Sequence, residues 1–523
     1  MSVVERRPSP AVAKLEDCDE SGQSASASRL PLAAPSPMLI ELLTSLQSEA
    51  IPYCYWKSSL KVERALAGES DLDLLVGRNR RERAIDILRA HGFKLWPDTP
   101  GRDHPAVMSF LGYEESADAI RHVHVHFRLV VGHSLLKNYR LPVEERIISR
   151  SVLHPRIPIR VLDPADEALL LIIRKSLELR RTDPIALWSW PELRQKYADA
   201  LGDVAKRVDA DSLKQRASEL FSGELANAIG EILGPSAARP SKTRLRAAIA
   251  RELSAYRMYG GFEATARTAG RCALFVVGAI NERFIGAPWA ARRRAPGGGV
   301  LISFVGVDGS GKSTQVAEVR KWLGLEIDVL AYYFGSGDGR ASLVFRPFKA
   351  VAGRIAARIR VKPKGASHGK ISDRPPGPVY STLFAIWALA VALDKRVKLI
   401  AAQRAIARGF VVVTDRYPQN EIAQFNDGPL LHRLERAPAW LSRLERSIYV
   451  TAQRAPPDLV IKLHVGPTTV TRREPDMSPE IVLQRIEWLK ELKFPGARIE
   501  SIDATRPLAE VKRLAKRAIW EIL

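Results

Sequence analysis

From Met38 onward the chain alternates between apolar stripes at helical spacing and short apolar runs of strand length. Met38-Leu-Ile-Glu-Leu-Leu predicts a helix, and Tyr53–Trp56, Asp71–Val76 and the longer run His122–Val131 predict strands. Asp163 followed by Pro164 is an N-cap with proline at the first helical position, so a helix is expected to about Arg181. Ala168, Leu169, Leu170, Ile172, Ile173 and Leu177 form its apolar face. Helical periodicity continues to about Gly286, and Trp289–Gly299 then reads as a linker, charged first and glycine-rich afterwards. The apolar strand Val300–Val305 follows, and strands alternate with helices to the end, the pattern of a parallel sheet covered on both faces. Residues 1–36, rich in Ser, Ala and Pro without periodicity, are expected to be a disordered tail. The expected domains are 37–235, a helical connector and linker over 236–297, and an α/β doubly wound unit over 298–523.

Composition narrows this little. Of 523 residues, 46% are apolar and 26% charged, as in ordinary globular protein. Cys18, Cys54 and Cys272 are scattered without metal-ligand spacing, which excludes a zinc ribbon or disulfide framework and suits a reducing compartment. The longest apolar runs, Leu383–Leu393 and Cys272–Ile280, fall short of the roughly 20 residues a membrane span needs. No apolar signal region follows the N-terminus, so a cytoplasmic location is expected. The net charge of +22 reads first as a solvated, Arg-rich surface with basic loops. Binding to a polyanion is the second reading, because no recognised nucleic-acid module appears.

The chemistry is concentrated after Val305. Gly306-Val-Asp308-Gly309-Ser310-Gly311-Lys312-Ser313-Thr314 lies between a strand and an amphipathic helix, the context a phosphate-binding loop requires. Its glycines let backbone N–H groups wrap phosphate oxygens at a helix N-terminus. Lys312 reaches the β- and γ-phosphates, and the Ser313 hydroxyl is a magnesium ligand. A second strand ends in Asp415-Arg416-Tyr417. It delivers a carboxylate for magnesium and a guanidinium for phosphate where open α/β sheets bind ligands. After a third strand, Arg472 and Arg473 are expected on a loop, as a lid over transferring phosphates.

Gly306–Thr314, Asp415-Arg416-Tyr417, the arginine pair and Ile502-Asp-Ala-Thr-Arg-Pro507 together resemble the thymidylate kinase family. The resemblance implies ATP and Mg2+, a small phosphorylated acceptor and phosphoryl transfer from ATP to a nucleoside monophosphate, converting dTMP to dTDP; it also allows a homodimer. By it, Asp308 contacts the acceptor sugar and Arg416 its phosphate. Arg473 and the Asp503–Pro507 turn border the adenine, and Lys395 or Arg396 reads the acceptor base. The family's Arg-Glu-Pro-Gly-Gly-Thr stretch is absent. In its place Gly335-Ser-Gly-Asp-Gly339 and a basic insertion to Lys370 leave a kinase for another phosphorylated or sugar-type metabolite as one alternative, and the net charge leaves a regulatory ATP-binding protein with a degenerate nucleotidyltransferase module as another.

In the first unit, Asp71 and Asp73 share one face of a short strand, a spacing that suits two-metal phosphoryl chemistry. Ser58 stands upstream in Trp56-Lys-Ser-Ser59. These motifs resemble an uncharacterised branch of the nucleotidyltransferase superfamily, which implies an α+β domain, here with a helical extension. His122, His124 and His126 share a face of a neighbouring strand, and His124 stands where that superfamily's third carboxylate is expected. His124 is thus either a substitute metal ligand or part of a polar stripe in a domain without catalysis.

Overall fold

A computed structural model describes residues 34–99, 103–133, 135–178, 190–234, 240–281, 284, 292–335, 378–423, 425, 428–434, 437–475 and 477–523. Contacts divide the chain into Met1–Ala291 and Arg292–Leu523. The basic insertion and most of the N-terminal tail lie outside the described residues.

The first unit begins at Ser36, at the edge of the expected tail. Its hydroxyl accepts the Leu39 amide hydrogen bond and donates to Glu114 Oε1, capping α1 (Pro37–Ser48). The mixed sheet has the order β3-β4-β5-β2-β1-β9-β8: Lys94–Leu95, Val107–Glu114, Ala119–His126, Leu72–Val76, Tyr53–Tyr55, Arg160–Val161 and Val152–Leu153. Leu72, Leu74 and Val76 face one core with the α1 leucines, while Leu75 and Cys54 face another with α5 (Pro164–Glu178). Burial on both faces explains why β2 reads as an apolar run with little alternation.

The expected strand His122–Val131 is broken. β5 ends at His126 because its partner β4 starts opposite it at Val107, and β2 reaches no further than the Leu75–His126 pair. Leu129–Val131 (β6) instead pairs with Tyr139–Leu141 (β7) in a separate ribbon. The helix after Asp163 forms as expected, with Ala165 N donating to Asp163 Oδ1 at 3.0 Å and the whole predicted apolar face buried. The stretch beginning at 236 is not merely a connector. α9 (Lys242–Glu252) puts Leu245, Ala248 and Ile249 into the core built by α5, together with α7 (Ala210–Leu220) and α8 (Gly223–Gly230). α10 (Gly261–Ile280) has no buried residue among those described.

The second unit is a five-stranded parallel sheet, order β11-β12-β10-β13-β14: Val329–Tyr333, Val411–Asp415, Leu301–Gly306, Leu459–His464 and Arg498–Asp503. α11 (Lys312–Leu323) packs on it together with α16 (Leu508–Ile522), and α12 (Pro378–Ala407) packs on β11 and β12 and against α13 (Ala439–Gln453). β10 and β12 are buried at every position, so the α/β, doubly wound reading holds. The expected linker is corrected over residues 292–299, which are tied into this unit. Arg293 O accepts from Asp328 N at 2.9 Å, the Arg293 guanidinium meets Glu326 at 2.6 Å, and Gly299 N donates to Ile406 O at 2.7 Å. A Cβ on Gly299 would lie 1.8 Å from Phe410 O, so glycine there serves close approach rather than flexibility. Among the described residues no helix is long and apolar enough to cross a membrane.

Candidate functional site

β10 runs directly into the Gly306–Thr314 loop, which α11 leaves at Lys312. Gly311 holds φ at +94°, a backbone that side chains rarely adopt, and a Cβ on Gly306 would stand 2.9 Å from the Leu463 carbonyl oxygen. These two positions demand glycine for the geometry alone. Lys312 is buried, and its Nζ folds back to donate to Val307 O at 2.8 Å and Gly306 O at 3.1 Å. Ser310 is buried, while Ser313 and Thr314 open the helix on its exposed side.

Asp415 ends β12 beside this loop because β10 and β12 are parallel neighbours in register, Phe304 opposite Asp415. Its Oδ2 accepts the Ser313 hydroxyl hydrogen bond. Oδ1 is buried and receives no hydrogen bond among the described residues, with Arg416 Nε 4.0 Å away. A hydroxyl and a carboxylate with one undonated buried oxygen are what a hard divalent cation such as Mg2+ takes as ligands, so the pair fits that ion. Arg416 sits at φ +72°, strained for a residue with a side chain, and is held there by its amide bond to Phe304 O at 2.9 Å.

Asp308 is the hub of the site. Arg416 donates to its Oδ1 at 2.6 Å, Arg485 to its Oδ2 at 2.7 Å, and Lys312 Nζ stands 3.9 Å away. Burial works to raise the Asp308 carboxyl, but Arg416, Lys312 and Arg485 outweigh it and hold the group well below the usual carboxylate range. Arg485 was not singled out from sequence. It lies in α15 (Pro479–Glu491), and its one visible signal is a guanidinium carried by a half-buried helix.

The loop expected for Arg472 and Arg473 is a helix: both occupy the last turn of α14 (Pro467–Arg473). Proline at the first helical position allows this short helix to start directly after β13. Arg473 donates to Gly309 O at 2.6 Å, beside the phosphate loop, and Arg472 is exposed. Lys395 and Arg396, the two residues considered for the acceptor base, differ in placement. Lys395 is buried in the middle of α12 and donates to Tyr449 Oη at 3.2 Å, whereas Arg396 is exposed. The Asp503–Pro507 turn follows β14, with Ala504 N bound to His464 O at 2.7 Å, at the carboxyl end of the sheet like the other groups.

In the first unit, the parallel register of β2 and β5 sets Asp73 opposite His124. Asp71 meets His122 Nδ1 at 2.7 Å, and His124 Nδ1 stands 3.7 Å from Asp71 and 3.6 Å from Asp73. The ligand atoms of Asp71, His122 and His124 lie within 4.8 Å of one another, a set able to hold one cation. The expected carboxylate pair is therefore divided. Asp73 is engaged by His126 Nε2 at 3.1 Å and Lys57 Nζ at 3.8 Å. Burial opposes its charge, and Lys57, His124 and His126 prevail, holding it well below the ordinary range. Ser58 does not join this group. Its hydroxyl donates to Glu167 Oε1 at 2.9 Å, and Glu167 is also bound by Ser59 Oγ at 2.7 Å and Arg207 Nη2 at 3.1 Å. Nothing in the sequence marks Glu167, because it falls among the apolar positions of α5, where only tertiary contacts explain a carboxylate.

His126 packs edge-on against Trp56, with ring centroids 4.8 Å apart. Burial brings its pKa down to about 4, with Asp73 acting in the opposite direction. The unfolded chain, with His126 near 6.5, therefore binds a proton that the folded protein refuses between those values. Stability is full above pH 6.5 and falls as the pH drops toward 4. The loss attributable to this group is about 2 kcal/mol by pH 5. Denaturant melts of wild type and His126→Gln at pH 7.5 and 5 test this, the variant being expected to lose less.

No family model matches the chain. Over 234 residues, 43% of this chain and 93% of the other, it is 29% identical to the uncharacterized ATP-binding protein YghS of Escherichia coli strain K12. Over 228 residues, 42% of this chain and 86% of the other, it is 29% identical to the uncharacterized ATP-binding protein YghR of the same strain.

Proposed function

We propose that the second unit is an ATP- and Mg2+-dependent phosphotransferase acting on a nucleoside monophosphate, with conversion of dTMP to dTDP as the leading reaction. The observation that carries this is the Ser313–Asp415 contact with its undonated buried oxygen, set beside the loop Gly306–Thr314 and faced by Arg416 and Arg485. The ATP-binding named for the two Escherichia coli relatives agrees with the donor half.

In this reading the backbone N–H groups at the start of α11 receive the ATP phosphates, and Lys312 leaves the Val307 and Gly306 carbonyls for the β- and γ-phosphates. Ser313 and Asp415 would hold Mg2+, which would neutralise charge on the phosphate oxygens. An oxygen of the acceptor phosphate forms a bond to the γ-phosphorus as the bond to the β–γ bridging oxygen breaks, and ADP leaves with that electron pair. Arg416 orients the acceptor phosphate, and Arg473, already beside Gly309, stabilises the charge spread over the transferring group. Asp308 keeps Arg416 and Arg485 aimed at one point through its two oxygens.

Purified protein with ATP and Mg2+, offered a panel of nucleoside monophosphates, is expected to release ADP fastest with dTMP. ATP hydrolysis indifferent to every monophosphate would overturn the assignment. Asp71→Ala is expected to leave this turnover within about twofold of wild type, because Asp71 belongs to the first unit and every group given a role in the transfer belongs to the second. Coupled loss in that variant would show that the two units do not work independently.

A further inference from the structure

At the ends of β2 and β5 remote from Asp71 and His122, the first unit opens a cavity of about 700 Å³ whose charged lining is arginine alone. Arg78 and Arg81 reach it from the segment after β2, Arg128 from the residue pair after β5, Arg140 from β7 and Arg257 from the turn before α10. These guanidinium groups are poorly compensated. Among the described residues Arg140 pairs with Glu144 at 3.2 Å, Arg81 pairs with its exposed neighbour Glu82 at 3.7 Å, and Arg257 contacts the neutral Tyr139 hydroxyl at 3.5 Å. Neither Arg78 nor Arg128 has an ion pair among the described residues. Burial, then the facing charges of Arg140 and Arg78, lower the proton affinity of Arg128, and Glu144 offsets them only in part.

Converging like charges cost stability unless an anion settles between them, and the planar fork of arginine matches phosphate oxygens in pairs. The apolar part of the wall has a definite form. The Arg81 guanidinium stacks on the buried Phe127 ring at 5.4 Å, and Tyr256 at the margin keeps 42% of its surface exposed. A volume in the range of about 300–1,000 Å³ is that of a single small-molecule site. A nucleic-acid track needs charges strung along a groove, whereas these converge on one point.

We propose that this cavity binds a small ligand carrying two or more phosphate groups and a planar ring, a nucleoside di- or triphosphate in chemical class, at a site separate from the phosphate loop of the second unit. The arginines hold the phosphate chain, and Tyr256 provides the face for the ring.

The test uses the full chain carrying Lys312→Ala, which removes the main phosphate contact of the other nucleotide site, with ATP in EDTA as the probe and titration calorimetry as the readout. Residual binding is expected that weakens at least tenfold in Arg128→Ala and in Arg78→Ala, weakens less in Arg128→Lys, and declines with added salt. Inorganic tripolyphosphate is expected to compete, and Tyr256→Ala to weaken ATP but not tripolyphosphate. Thermal melts check that each variant is folded. Absence of residual binding, or binding untouched by the arginine substitutions, overturns the proposal. So does a single-stranded oligonucleotide that binds more tightly than ATP through the same arginines. Turnover of Mg–ATP by the wild type is unaffected by any of these results, so the two assignments fail separately.

Discussion

Lys312→Ala is expected to reduce ADP release at least about 100-fold, the scale of losing one preorganised charge at the transferring phosphate. The residue is buried, and its Nζ donates to two carbonyls of its own loop at 2.8 and 3.1 Å. Removing the side chain breaks those bonds but leaves the loop glycines and the start of α11 in place. Stability should therefore fall by about 1.5–2 kcal/mol, the lower end of the range for a hydrogen bond to a charged group, because the buried charge leaves together with its bonds. ADP release by enzyme-coupled assay and a denaturant melt on the same preparation separate the two effects. Turnover within tenfold of wild type would remove Lys312 from the phosphate site.

Asp308→Ala should be the most destabilising single change in the loop. It strips the shared partner from Arg416 and Arg485, which are 20% and 13% exposed, and leaves two partly buried guanidinium groups facing each other. Breaking a buried pair costs about 3–5 kcal/mol, and the partial exposure here reduces the expectation to about 2–3 kcal/mol. Adding Arg485→Ala to Asp308→Ala should recover part of that loss, because one of the stranded charges goes with it. The pH dependence has a definite sign. The folded Asp308 carboxyl is depressed, so its contribution is complete above the ordinary value of about 3.9 and is lost only as the pH falls below it. Wild type and Asp308→Ala should differ fully at neutral pH and converge in strong acid. A constant difference down to pH 2 would mean that the carboxylate charge is not what holds the cluster.

The phosphate loop was legible because it is local. Nine successive residues between a strand and a helix carry the whole phosphate-binding geometry, and the structure keeps Gly306, Gly311, Lys312 and Ser313 where the spacing implied. Asp415 was legible for a related reason, since an apolar run ending in a charged pair marks the carboxyl end of a buried strand. Arg485 was not. It meets Asp308 across 177 positions of chain, and no periodicity within α15 distinguishes that arginine from one in water. The arginine pair after β13 is the opposite case, since the residue types are visible in the sequence but a helix stands where a loop is expected. Pro467, one residue into that segment, was the helix-start signal.

The first unit divides along the same line. That Asp71, Asp73 and the three histidines project from adjacent strands follows from alternation alone, with β2 and β5 paired. Which carboxylate remains for a cation does not. Lys57 and His126 engage Asp73, so Asp71 is grouped with His122 and His124, and Glu167 of α5 draws Ser58 away from all of them. Alternation of strands and helices, the Gly306–Thr314 loop and the strand-end Asp415 were determined by the sequence itself, because each rests on neighbours within a few residues. The Asp308 hub, the divided aspartates and the arginine-lined cavity were decided only by tertiary structure. Each brings together charges distant along the chain, whose partners exist only once the sheets have set their register.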